Sequence, residues 1–485
     1  MWRSDLPRST SRSNAYRSGT AIRMPRQLPS SRERRTHVSR NAVASLHSRQ
    51  EHRPGAGCPS RIGRVARGLV AATALLLLLP PGAVPAEVSQ EVSPSLWERD
   101  RLTGDWRGLR STLADRYGVD VGVSYAGDVF GVVSGGLDHR VEYLDDTDLT
   151  LTVDAEKLVG WKGGHFFVYG LGNYGGSPSA HVGDSQGIDN IDAPNTFKLY
   201  EAWYLQDLLD GRLSVLAGLY DLNGEFYATE ASQLFINSSF GIGKDFSQSG
   251  RNGPSIFPTT SGAVRVKARP TDQWYVQAAV LDGVSGNPRN PNGTQIIFHK
   301  SDGVLVVAET AYVIGKEEGT TAPYGKYALG GWVYTARFSE LAEEADHDRG
   351  NHGVYALAEQ VVYRSGDGAR ALAVFLSIGL AEPRLNPFGF ALNSGLVYTG
   401  LLPRREADQV GVGVASAHVG HDFRVAQRAA GTPVRDAEIA LEFTYRLQLA
   451  PWLALQPDVQ YVINPGVDSA IDNALALGSR FEIAF

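Results

Sequence analysis

The sequence predicts an all-β protein, a transmembrane antiparallel β-barrel. Three observations predict it: a secretory leader, strand-length segments in which apolar and polar residues alternate, and a last segment of that kind ending on Phe485. A barrel of this kind belongs in a bacterial outer membrane, because in lipid only helices and closed barrels satisfy every backbone polar group.

The leader is removed first. Residues 1–67 are rich in Ser, Pro and Arg and too poor in apolar side chains to offset their ordering entropy. They read as a disordered extension, or as sequence upstream of the true start codon. Arg61, Arg64 and Arg67, the run Leu69 to Leu79, Pro80-Pro81-Gly82 and Val84-Pro85-Ala86 then make a signal peptide over 68–86, cleaved after Ala86. Its apolar run is far short of the roughly 20 residues of a membrane-spanning helix. A long leader or a twin-arginine signal at Arg34-Arg35 is the alternative.

Fifteen Arg, no Lys and three acids lie in 1–86, which leaves 31 basic against 49 acidic groups, a charge of −18, in the mature part. That surface argues against nucleic acid as a partner. Cys58, Met1 and Met24 all fall in the leader, so no disulfide or thiolate metal site is available.

Among the strands, Val119, Val121, Val123 and Tyr125 alternate with Asp120, Gly122 and Ser124; Leu149, Leu151, Val153 and Ala155 alternate with Thr150, Thr152 and Asp154. Val264, Val266 and Ala268 oppose Arg265, Lys267 and Arg269, and Trp274, Val276, Ala278 and Val280 oppose Tyr275 and Gln277, with Pro270-Thr271-Asp272 as the hairpin turn. Ile439, Leu441, Phe443, Tyr445, Leu447 and Leu449 oppose Glu438, Glu442, Thr444, Arg446 and Gln448. Leu453, Leu455, Val459, Tyr461 and Ile463 oppose Gln456, Asp458, Gln460 and Asn464, and Ser479, Phe481, Ile483 and Phe485 oppose Arg480 and Glu482. A soluble sandwich would show the same period, so aromatic residues near segment ends carry the decision: Trp203, Tyr204, Trp274, Trp332, Tyr445, Trp452 and Tyr461 suit interfacial girdles. Long Gly/Asn/Asp-rich loops are expected at Gly172 to Asn195, Asn223 to Pro258, Asp282 to Thr294 and Pro383 to Asn393. At about 24 residues per strand with its connection, the mature length allows about 14 to 18 strands. Residues 87–118 form a periplasmic N-terminal segment in which Trp106, Leu109, Leu113 and Tyr117 at helical spacing, stopped by Gly118, predict a short amphipathic helix. Residues 119–485 form the barrel.

Leu102-Thr103-Gly104-Asp105-Trp106 with Gly108-Leu109-Arg110, and Trp452-Leu453-Ala454-Leu455-Gln456-Pro457-Asp458-Val459-Gln460-Tyr461-Val462 with Asn464-Pro465-Gly466, resemble the opening and closing signatures of the OprB-type carbohydrate-selective porins of Gram-negative bacteria. Tyr200-Glu201-Ala202-Trp203, Gly218 to Asn223 and Phe235 to Gly241 resemble further family stretches in the same order. The resemblance implies a sixteen-stranded barrel with infolded external loops, charged side chains at a constriction and passive diffusion of sugars. The terminal Phe485 likewise resembles the signal read by the barrel assembly machinery.

A pore for neutral, hydroxyl-rich solutes needs charged and amide groups, with aromatic faces for the ring. The pore-lining candidates are Glu201, on the strand face opposite Tyr200, Ala202 and Tyr204, and Trp203; Asp221, Asn223 and Glu225; Lys244, Asp245 and Arg251 on the candidate constriction segment; and Arg265, Lys267 and Arg269, three cations on one strand face. Each has a structural alternative: an ion pair across the lumen for Glu201, an ordinary exposed loop for the segment Asn223 to Pro258, and an ordinary polar wall for Arg265, Lys267 and Arg269. Asp145-Asp146-Thr147-Asp148 lacks the glycine and closing glutamate of a calcium loop, the histidines show no zinc spacing, and no Gly-x-Ser-x-Gly elbow occurs. No cofactor, metal or enzymatic chemistry is implied. The expected partners are permeant sugars, outer-membrane lipid and lipopolysaccharide, and the assembly machinery, with the chain a monomer or homotrimer. A general or anion-selective porin is the second reading, and a barrel enzyme the third.

Overall fold

The computed structural model describes residues 95–315, 323–342, 350–432 and 434–485. The extension over 1–67 and the signal peptide over 68–86 lie outside the described residues. The described residues form sixteen strands: β1 (Val119–Gly136), β2 (Val141–Asp154), β3 (Gly164–Gly175), β4 (Thr196–Leu208), β5 (Leu213–Tyr220), β6 (Ser261–Ala268), β7 (Trp274–Asp282), β8 (Val304–Ile314), β9 (Gly325–Tyr334), β10 (His352–Arg364), β11 (Ala371–Ala381), β12 (Phe388–Thr399), β13 (Gln409–Val419), β14 (Ala437–Ala450), β15 (Leu453–Ile463) and β16 (Asp472–Ala484). Each pairs antiparallel with its sequence neighbours, and β1 pairs with β16 from Ser124 opposite Ala484 to Gly136 opposite Asp472, so the barrel has no free edge.

Burial settles what alternation left open. Val264 is 50% exposed while Arg265 between it and Val266 is 2% exposed; on β14, Leu441 and Phe443 are exposed while Glu438, Glu442 and Thr444 are buried. A soluble sandwich would bury the apolar set. Here the greasy face is outside and the polar face inside, the arrangement of a membrane barrel.

Three expectations change. A bulge at Tyr169/Gly170 sets Glu201 opposite Tyr169 and Leu199 opposite Gly170, so Tyr200 is an extra residue. Tyr200 and Glu201 therefore both point inward instead of to opposite faces. Trp203 stacks on Phe167 and Trp332 on Phe246, ring centroids 4.9 and 4.8 Å apart, so these two indoles belong to the lumen, whereas Trp274 and Tyr461 lie exposed on the outer face. The expected loop Pro383 to Asn393 is mostly β12, which begins at Phe388.

The predicted helix runs Leu109–Tyr117 and stops at Gly118, whose φ of 67° favours glycine. Its apolar stripe docks only in part, with Leu113 and Tyr117 half-buried. Arg107 at φ 61° breaks the helix start, leaving Trp106 and Leu109 exposed. Arg110 is buried instead, donating to the carbonyls of Gly104 (3.2 Å) and Phe485 (3.0 Å), with its guanidinium 4.1 Å from the Trp106 ring centre.

The lipid-facing reading predicts that Leu441→Arg destabilises the barrel by about 2–4 kcal/mol, since a cation near the bilayer midplane loses its hydration. The check is the denaturant midpoint of protein folded into lipid vesicles.

Candidate functional site

Two long connections, 176–195 and 221–260, fold into the barrel and pack against its inner wall. From 221–260, Leu222, Phe226, Tyr227, Ile242, Phe246 and Ile256 join Leu216, Leu305, Trp332 and Tyr355 in one buried cluster. Leu234, Phe235 and Phe240 form a second cluster with Phe375, Val397, Ala415 and Ala440, and Ile236 meets Val182 and Ile188 of 176–195 beside Phe130 and Val462. Wall glycines make room: a Cβ on Gly379 would lie 2.1 Å from Asp245 Oδ2, and one on Gly413 2.7 Å from the Phe240 ring.

The infolded segments carry unpaired backbone donors into the lumen, and wall carboxylates accept them. Glu359 accepts from the N–H groups of Glu230 (2.7 Å) and Ala231 (2.5 Å), and Glu442 from Ile236 (2.6 Å) and Asn237 (3.0 Å). Glu438 accepts from Ser185 and Gln186, both at 2.8 Å, and from Gly466. Glu309 accepts from Tyr227 N–H (3.1 Å) and the hydroxyls of Tyr275 (2.7 Å) and Tyr355 (2.9 Å). A buried donor left without its acceptor costs about 1–3 kcal/mol, so these four glutamates hold the path of the backbone through the pore.

Six of the sequence candidates form one cluster at the root of 221–260. Glu201 accepts from Trp203 Nε1 and Asp221 N–H, each at 3.1 Å, and Asp221 accepts from the Tyr200 hydroxyl. Arg265 donates to both carboxylate oxygens of Glu225 (2.7 and 3.0 Å) and to Ser214, and Lys267 lies 3.4 Å from Glu225 and over the Tyr275 ring. Burial opposes the charged form of Glu225, yet Lys267 and Arg265 hold its carboxyl at about 2. Asn223, nearby, donates to the carbonyls of Phe226 and Gly241 and shapes the turn.

The other candidates lie elsewhere. Lys244 and Asp245 sit on the short helix Lys244–Ser247; Asp245 accepts from the Tyr227 hydroxyl (3.1 Å), and burial pushes its carboxyl up to about 7. Burial lowers the Lys244 ammonium against the opposing pull of Glu438 and Asp184. Arg251 donates to the carbonyls of Ser301 and Arg337 at the long-loop mouth, and Arg269 is exposed at the opposite rim. Arg265 and Lys267 lie on β6, where Glu225 takes up both, and Arg269 falls one residue past the end of that strand.

A cavity lies on the other side of the lumen. It measures about 870 Å³ and runs from the short-turn mouth up to Asn190–Ile191 and Glu230–Leu234, against a wall carrying Asp148, Arg446, Arg480 and Glu482. Where it meets Asn190, Arg480 donates to Asp128 (2.9 and 2.6 Å), to Asp189 (3.3 Å) and to Asn190 Oδ1 (2.7 Å); nearer the short-turn mouth Arg446 pairs with Glu482 at 2.7 Å. None of these was among the site candidates, although alternation had placed Arg446, Arg480 and Glu482 on polar strand faces.

Glu442→Ala strands two backbone donors and is expected to raise single-channel conductance while the barrel still folds; unchanged conductance would mean the loop is held elsewhere. Arg480→Met leaves Asp128 buried without its cation, at a cost of about 3–5 kcal/mol. The check is a lower melting temperature of the purified barrel.

The family model of the carbohydrate-selective porins, OprB family, matches residues 138–485. The chain is 28% identical to Porin B of Pseudomonas aeruginosa, over 82% of this chain and 94% of that protein. It is 21% identical to the putative porin QuiX of Acinetobacter baylyi, over 80% and 94%. The high-pH structure of Pseudomonas putida OprB superposes with a TM-score of 0.71 at 24% identity, covering 81% of this chain and all of that one. A closed sixteen-stranded barrel, a lumen narrowed by infolded loops and a family match over most of the chain lead to one assignment: the chain belongs to the OprB family of carbohydrate-selective outer-membrane porins.

Proposed function

We propose that this porin passes mono- and oligosaccharides passively into the periplasm, with its long loops outside and its short turns periplasmic. Selection takes place where Asn190 and Glu230–Leu234 face Arg480, Arg446 and Glu482. The observation that carries this reading is the pairing of the guanidiniums lining the narrowing: Arg480 with Asp128 and Asp189, Arg446 with Glu482. Paired charges offer donors and acceptors to hydroxyls without a large net field, which suits a neutral solute better than an anion. Glu225, Arg265 and Lys267 act in this reading as the fastening of the constriction loop, and Glu201 with Asp221 as its hinge support. Outer-membrane lipid and lipopolysaccharide surround the barrel, the assembly machinery inserts it, and it works as a monomer or homotrimer.

The test is single-channel current through the purified protein in a planar bilayer while glucose and then maltose are titrated. Concentration-dependent block is expected; steady current without block would favour a general porin. Arg446→Glu, which sets two carboxylates together, is expected to move reversal potentials in a salt gradient towards cation selectivity, and an unmoved potential would remove Arg446 from the selective wall.

A further inference from the structure

At its short-turn mouth the cavity carries a feature that the narrowing does not require. Residues 95–102 lie as a strap along the rim. Ser95 N–H donates to Glu98 (3.1 Å), closing the turn Leu96–Glu98. Trp452 Nε1, on the β14–β15 turn, donates to the Leu96 carbonyl (2.8 Å), Arg101 to the Val121 carbonyl (2.8 Å), and Leu102 N–H to the Ala484 carbonyl (2.8 Å). On this strap Trp97 stacks on Trp452, ring centroids 5.9 Å apart at 26°. Trp97 is nonetheless 60% exposed, whereas Trp452 beneath it is buried.

An indole that anchors a barrel in the interface sits on the outer wall, as Trp274 does. Trp97 instead lines the cavity, together with Asp100, Gln409, Gln448 and Glu482. The Asp100 carboxylate and the Gln409 amide have no side-chain partner among the described residues, so they are available to a solute.

We propose that Trp97, backed by Trp452, is a sugar-stacking platform at the exit mouth, a second subsite below the narrowing. A pyranose lays its C–H face on the indole while Asp100 accepts from its hydroxyls and Gln409 both donates and accepts. A weak site beyond the constriction gives a solute leaving it somewhere to go, which favours flux over retention. The proposal rests on the carbohydrate reading of the pore.

The experiment measures current block by maltose added to one face of a bilayer holding the purified protein, with insertion direction fixed by a biotin label on the β7–β8 loop. In Trp97→Leu the half-blocking maltose concentration from the short-turn face is expected to rise about fivefold, with open-channel conductance unchanged and block from the other face less affected. Trp97→Phe, which keeps a ring face, is expected to retain block. Unaltered block in Trp97→Leu overturns the subsite and leaves the carbohydrate pore standing. Equal loss in the Leu and Phe variants overturns it too, by assigning Trp97 to strap packing. No block in the unmodified protein overturns both readings.

Discussion

Inside a hydrocarbon layer a backbone N–H or C=O has no water to turn to, so every strand of this chain needs a neighbour on both sides. The pairing of β1 with β16 meets that demand for the two strands that would otherwise be edges. Closure in turn fixes which side chains face lipid and which face the lumen, since the side-chain period of a strand is two and a slip of one residue would exchange the faces. The buried acids and guanidiniums of the wall follow from that constraint. In a soluble barrel of this width they would be core defects; here they are the inner surface of an aqueous passage.

The same logic governs the infolded loops. A loop threaded through a lumen loses water from its own backbone, and its donors must be met by something on the wall. Glu309, Glu359, Glu438 and Glu442 meet them with carboxyl oxygens, each side chain taking two or more donors at once. The apolar side of 221–260 supplies the remaining attachment, as a small hydrophobic core built against the inside of β5 to β14. That core fills the lumen where it lies, and the cavity runs against β1, β2 and β13 to β16.

Much of the fold was legible in the sequence because alternation records the wall directly: Val264 against Arg265 and Leu441 against Glu442 declare their faces by residue type. Where an extra residue enters, the record fails, and Tyr200 was placed on the wrong side of β4 because a bulge has no compositional mark. The indoles of Trp203 and Trp332 look the same at a membrane interface and in a lumen. The candidate site was legible in part: 221–260 does enter the barrel, yet Arg265 and Lys267 turn out to be taken up by Glu225, a partner whose position depends on the loop's path. Arg480 was visible as a polar residue of the last strand, but nothing in the sequence says that 189–190 reach it.

Arg480 joins two parts of the molecule that are usually thought of apart. Its partner Asp128 stands opposite it in the register of the β1–β16 seam, and the same guanidinium reaches Asp189 and Asn190 of an infolded loop. The seam brings together strands more than three hundred residues apart in sequence, the costliest ring closure in the chain, and so a late event in its assembly. Until that event Arg480 lies far from Asp128 and the loop lacks part of its seat. Sealing the wall against lipid and setting the aperture are then a single step, so an incompletely closed barrel would leak without discriminating.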